Sequence, residues 1–173
     1  MRIKSSLLET DIAVYYFMNR RLHGRVVVTF MRGITLFGET YAAVGVGLLA
    51  LLLGWVSDTA VGVHATLVIG ISQVVVQSVK RLVHRTRPYV VHEWSLAKNP
   101  PACQYSFPSG HTACAFAWTL VLGLFYPHLQ PLLYPLAFLV GMSRVVLGFH
   151  YLTDVLVGAA ISYGTYILVT GVL

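Results

Sequence analysis

The sequence predicts an all-α integral membrane protein: a bundle of five transmembrane helices, or six, behind an N-terminal interfacial amphipathic helix. Three observations carry that expectation. Of 173 residues, 57% are hydrophobic and only 10% are charged, where soluble domains run near about 25% charged. The mean hydropathy is +0.73. The apolar residues are also gathered into stretches of about 20, the length that crosses a hydrocarbon core.

Residues 1–35 differ from the rest. Apolar residues alternate there with Arg20, Arg21, Arg25 and Arg32, which suits one or two helices lying at the membrane surface better than a sixth span. No cleavable leader is expected, because Glu9 and Asp11 interrupt any apolar core behind Arg2 and Lys4. Spans are then expected at approximately 37–56, 60–80, 108–126, 131–149 and 152–172. Trp55, Trp94 and Tyr126 sit near span ends, as interfacial anchors do. Without repeats or low-complexity tracts, residues 1–173 read as one domain, 1–35 interfacial and 36–173 the bundle. The 83–107 connection, rich in Pro, His and Arg, is long for a plain linker. With five spans it lies on the same membrane face as the turn near residue 150, so polar residues of the two can meet.

The net charge is +6. In a membrane protein that favours anionic lipid or a phosphorylated substrate over nucleic acid. Cys103 and Cys114 lack metal-ligand spacing. No metal, cofactor, disulfide or obligate protein partner is expected.

Three polar clusters interrupt the apolar pattern. The first is Lys80 through Pro88, the second Pro108-Ser109-Gly110-His111, and the third Ser143-Arg144 through His150 and Asp154. Polar groups this costly in an apolar setting are functional candidates by default. His150 and Asp154 are four apart and would share a helix face. A carboxylate beside an imidazole fixes its tautomer and raises its basicity, which makes a nucleophile or general base. Ser109 and Gly110 precede an apolar helix, whose first N–H groups bind anions. Lys80, Arg87 and Arg144 suit the three equatorial oxygens of a transferring phosphoryl group. His111 is placed to protonate a leaving oxygen.

Together the clusters resemble the motifs of the type 2 phosphatidic acid phosphatase superfamily: Lys-x6-Arg-Pro, Pro-Ser-Gly-His and Ser-Arg-x5-His-x3-Asp. Every fixed position matches, in order and spacing, across residues 80–154. The resemblance implies a helical bundle and a metal-independent lipid phosphatase. His150 would form a phosphohistidine, Asp154 would orient it, and His111 would donate a proton to the leaving group. Lys80, Arg87, Ser109, Gly110 and Arg144 would hold the phosphate. The implied substrate is a phospholipid monophosphate, such as phosphatidylglycerophosphate or phosphatidic acid, or a polyprenyl diphosphate such as undecaprenyl diphosphate. The same triad would serve a lipid A phosphatase or a lipid phosphotransferase; a non-catalytic lipid-phosphate binder is a further alternative. Hydropathy argues against the family's soluble vanadium haloperoxidases.

Other polar residues carry plainer expectations. Arg81, His84 and Arg85 read as a solvated or lipid-phosphate-facing surface. His64 reads as a hydrogen-bonded bundle residue, and His23, His92 and His128 as interfacial. Gln73 and Gln77 are expected to bond between helices, and Glu39 to start one. All twelve Lys and Arg fall on the active-site face under five spans, which by the positive-inside rule is cytoplasmic. The resemblance to bacterial members implies the outer face of the plasma membrane, and that placement is the one adopted.

Overall fold

The computed structural model describes residues 2–39, 45, 59–99, 101 and 103–173. The described residues form helices and connecting turns, with one isolated bridge between Thr86 and Tyr105 and no strand. Two N-terminal helices, α1 (Arg2–Tyr16) and α2 (Arg25–Thr35), precede the bundle. They are followed by α3 (Thr59–Val83), a single turn α4 (Pro88–Val91), α5 (Gly110–Phe125), α6 (Gln130–Val146) and α7 (Leu152–Val172).

Three stretches, Ala60–Val83, Pro127–Val146 and Leu152–Val172, are helical and long and apolar enough to cross a membrane. They meet three of the five expected spans. The fourth, expected at 108–126, is a 16-residue helix, about 24 Å at 1.5 Å per residue. Ser109 caps it at one end and Pro127 follows at the other, so it is shorter than its apolar composition suggests. The expected span at 37–56 and its Trp55 lie almost wholly outside the described residues.

The apolar pattern places α5 at the centre. It is apolar all round, as a helix enclosed by protein should be, and it packs against α3, α6 and α7. Ala65, Val68 and Ile69 of α3 meet Cys114, Ala117, Trp118 and Val121 of α5 and Val169 of α7 in one core cluster. Close helix approach depends on Gly158: a Cβ there would lie 2.5 Å from the Ser109 carbonyl oxygen. Both cysteines are free, Cys114 buried in this core and Cys103 exposed.

The N-terminal segment forms two helices, as expected, and the first does more than lie on a surface. Tyr15 and Met18 pack with Val145, Val146, Tyr151 and Val155 at the α6–α7 turn. Asp11 and Asn19 are also buried. Asn19, in the π-helical turn Phe17–Arg21 that continues α1, donates to the Val146 carbonyl and accepts from the Leu96 N–H, tying this segment to the end of α6 and to the 83–107 connection. Gly148 opens the α6–α7 turn with φ +88°, and a Cβ there would meet Ala97 and Asn19 within 3 Å. Glycine is required at that position on both counts. His64 bonds the Ala60 carbonyl, and Gln73 donates to the Gly110 carbonyl across helices, as expected.

Candidate active site

The two polar connections meet at one end of the bundle. Residues 85–87 run alongside Tyr105 and Ser106: Thr86 bridges to Tyr105, and Ser106 N–H donates to the Arg85 carbonyl. This presents Arg85 and Arg87 to the α6–α7 turn. Arg87 donates from Nε to the Cys103 carbonyl (2.7 Å) and from Nη1 to the Phe149 carbonyl (3.0 Å). Arg87 Nη1 also lies 3.2 Å from His150 Nε2.

That last contact sets the protonation of His150. A guanidinium carries only donors, so Nε2 must be the accepting nitrogen. The ring proton then sits on Nδ1, which lies 3.4 Å from Asp154 Oδ2. The sequence spacing brought the pair together, but not along a helix face. His150 lies in the turn before α7, and Asp154 occupies its first turn, where Oδ2 accepts the Tyr151 N–H at 2.9 Å. His150 and Asp154 are both buried. Burial, then the charges of Arg87, Arg144 and Lys80, holds the His150 imidazolium well below the ordinary histidine range.

The other expected residues gather here. Lys80, in the last turn of α3, donates to the Tyr105 carbonyl at 2.9 Å. Arg144 is buried near the end of α6, lies over the Phe149 ring and donates from Nη1 to Thr35. Its Nε is a buried donor with no partner among the described residues. Ser109 caps α5, accepting from Thr112, and its N–H donates to the Asp154 carbonyl at 2.9 Å. Gly110 and His111 open α5, and His111 Nε2 meets Glu39 Oε1 at 3.1 Å. Among the described residues no group of three or more His, Cys, Asp or Glu is placed to hold a metal ion.

One expectation needs correction, and two are extended. Arg85 is not a solvated surface residue: it is only 22% exposed and bonds both Asp154 and Asp11. The turn at His84, whose φ is +52°, leads the chain directly from α3 into the site. Glu39 does not merely start a helix: it follows a 3-10 turn, Leu36–Gly38, and faces His111. His92 is more than interfacial, since it stacks on Trp94 and shares a hydrogen bond with Tyr151. A usable signal existed for one missed residue. Asp11 is a carboxylate directly beside the apolar run Ile12-Ala13-Val14-Tyr15, where an unpaired charge is costly.

The PAP2 superfamily model matches residues 61–173. The chain belongs to the PAP2 superfamily. Among PAP2 relatives, the lipid A 1-phosphatase of Rhizobium etli is 29% identical over 127 residues, 71% of this chain and 52% of that protein. Phosphatidylglycerophosphatase B of Bacillus subtilis is 36% identical over 124 residues, 64% of this chain and 57% of that protein. This chain spans about half the length of these sequence relatives. Solved PAP2 structures are similar over most of it. The transmembrane PAP2-type phosphatidylglycerolphosphate phosphatase of Bacillus subtilis superposes with a TM-score of 0.81 at 25% identity, covering 96% of this chain and 85% of that one. Aquifex aeolicus LpxE gives 0.78 at 26% identity, covering 91% and 92%. With its apolar helices, this places the PAP2 chain among integral membrane proteins.

Proposed function

We propose that this PAP2 protein is a metal-independent lipid phosphatase that removes the terminal phosphate of a membrane lipid through a phosphohistidine. The observation that carries the reading is the surroundings of His150 Nε2. Its lone pair faces Arg87 at 3.2 Å, within the field of Arg144 and Lys80. Buried cations around an unprotonated nitrogen suit a phosphoryl group under attack.

In the proposed reaction, Nε2 attacks phosphorus and the bond to the lipid oxygen breaks. His111 gives that oxygen a proton. Lys80, Arg87 and Arg144, with the Ser109 hydroxyl and the Gly110 N–H, hold the phosphoryl oxygens. Asp154 faces the Nδ1 proton as positive charge grows on the ring. Water, giving a proton back to His111, then cleaves the P–N bond; Nε2 leaves with the electron pair and phosphate is released. Candidate substrates are phosphatidylglycerophosphate, phosphatidic acid, undecaprenyl diphosphate and a phosphorylated lipid A. The relatives' names support the phospholipid and lipid A classes.

The test is phosphate release by purified protein in detergent with EDTA, across those four lipids. Release from one class, reduced at least about 1,000-fold in His150→Ala, is expected. Turnover retained in that variant, or release only on adding an acceptor lipid, would replace the hydrolase reading. We further place the site on the outer face of a bacterial plasma membrane. Exposed Cys103 lies on the site connection, so a membrane-impermeant maleimide should label it in intact spheroplasts; labelling only after lysis would reverse the placement.

A further inference from the structure

We propose that Arg85, backed by Asp11 of α1, is a positioning residue for the His150–Asp154 pair, so that α1 is part of the site. Neither residue belongs to a superfamily motif. Arg85 fills one of the unspecified positions between Lys80 and Arg87, and Asp11 precedes the matched segment 61–173. The kinetic consequences rest on the phosphatase reading; the titration consequence does not.

The contacts form a closed set. Arg85 Nη1 donates to Asp154 Oδ1 at 2.6 Å and to Thr153 Oγ1 at 2.7 Å. Arg85 Nη2 donates to Asp11 Oδ2 at 2.7 Å. Asp11 Oδ1 accepts the Thr153 N–H at 2.9 Å, and Asp11 Oδ2 accepts from the Thr153 hydroxyl. The guanidinium carbon lies 4.1 Å from the centre of the Tyr151 ring. A planar fork fits two carboxylates and a ring at once, which an ammonium cannot do.

Two effects on His150 follow. The first is orientation. Asp154 is fixed by Arg85 on one oxygen and by the Tyr151 N–H on the other. The oxygen facing His150 Nδ1 is therefore aimed by groups other than His150. Without Arg85, Asp11 and Asp154 would be two buried carboxylates deprived of the cation they share.

The second effect is charge. The groups facing the pair are Asp11 from α1, Lys80 from α3, Arg85 and Arg87 from the following connection, His111 from α5, Arg144 from α6 and Tyr151 from the turn. Glu39 faces His111 behind them. Among the described residues, Arg85 is the only one of these cations in ion-pair contact with Asp154. A permanent cation on Asp154 weakens that carboxylate's pull on the imidazole proton, so removing it raises the pH at which His150 titrates.

The test compares wild type, Arg85→Gln, Arg85→Lys and Asp11→Asn in detergent, each checked for fold by far-UV circular dichroism and gel filtration. Arg85→Gln is expected to lower kcat at least about tenfold with KM within about threefold. It should also raise the His150 titration, read by 15N-histidine NMR and by the acid limb of kcat/KM, by about half a unit or more. Arg85→Lys should restore the titration while recovering only part of kcat. Asp11→Asn, which spares the Arg85–Asp154 contact, should lower kcat about threefold with KM unchanged. A folded Arg85→Gln with wild-type kcat and titration would reduce the cluster to packing. A raised KM at unchanged kcat would make Arg85 a substrate contact and overturn the proposal. If Arg85→Gln does not fold, wild-type kcat in Asp11→Asn overturns it. If wild type releases no phosphate, the phosphatase reading fails, yet the NMR shift still decides this inference.

Discussion

His150 and His111 each face one carboxylate, and the two pairs are built differently. His150 is buried, and its partner Asp154 takes a guanidinium on one oxygen and a backbone N–H on the other. The His111 side chain is 20% exposed and meets Glu39, itself 39% exposed, through one contact. A nucleophile must keep one tautomer and lose no time protonated, which rewards enclosure and a fixed partner. A proton donor must be reloaded between turnovers, which rewards contact with water and a partner free to move. The two environments thus differ in enclosure and in how many groups hold the carboxylate.

The sharpest way to break this contrast is to neutralise both carboxylates. Asp154→Asn leaves Arg85 without one of its two anions and removes the charge that lies 3.4 Å from His150 Nδ1. It should reduce kcat by about 100-fold or more, as removing the carboxylate of a triad does. Glu39→Gln should cost about tenfold or less, because its single contact is partly solvated. Equal losses in the two variants, measured on one lipid substrate, would remove the distinction between fixed and exchanging pairs.

The smallest effect concerns pH. In the proposed mechanism His150 attacks only when Nε2 is unprotonated, and burial with Arg87, Arg144 and Lys80 nearby disfavours its imidazolium. A lowered value means that the inactive, protonated fraction grows only in more acidic solution. For the free enzyme, kcat/KM should therefore show no loss from His150 between pH 8 and about 6.5, the ordinary histidine value. A limb with a midpoint near 6.5 that survives Glu39→Gln would contradict the enclosed environment assigned to His150.

Much of this site was legible because its chemistry is spelled in short spacings. Lys80 to Arg87, Ser109 to His111 and Arg144 to Asp154 are each separated by ten positions or fewer. The parity of the spans then predicted that the connections meet, and Arg87 beside His150 bears that out. The partners that aim these residues were less legible. Asp11 meets Thr153 across 142 positions, and Glu39 meets His111 across 72. No local pattern links residues so far apart, and a charge near an N-terminus reads as solvated until tertiary packing buries it. The helix-face reading of His150 and Asp154 reached the right pair by the wrong local geometry, since four residues spaced through a turn and a helix start also bring side chains together.

The bond between Asp11 and Thr153 has a consequence for biogenesis. A nascent chain emerges N-terminus first, so α1 leaves the ribosome long before the turn that receives it. The carboxylate of Asp11 must wait, solvated, while the intervening helices are inserted. The site closes only when the start of α7 arrives, and no shorter translation intermediate holds a complete one. Under the proposed function, a chain that stops short of α7 is therefore catalytically silent, and the onset of turnover would mark the arrival of that helix.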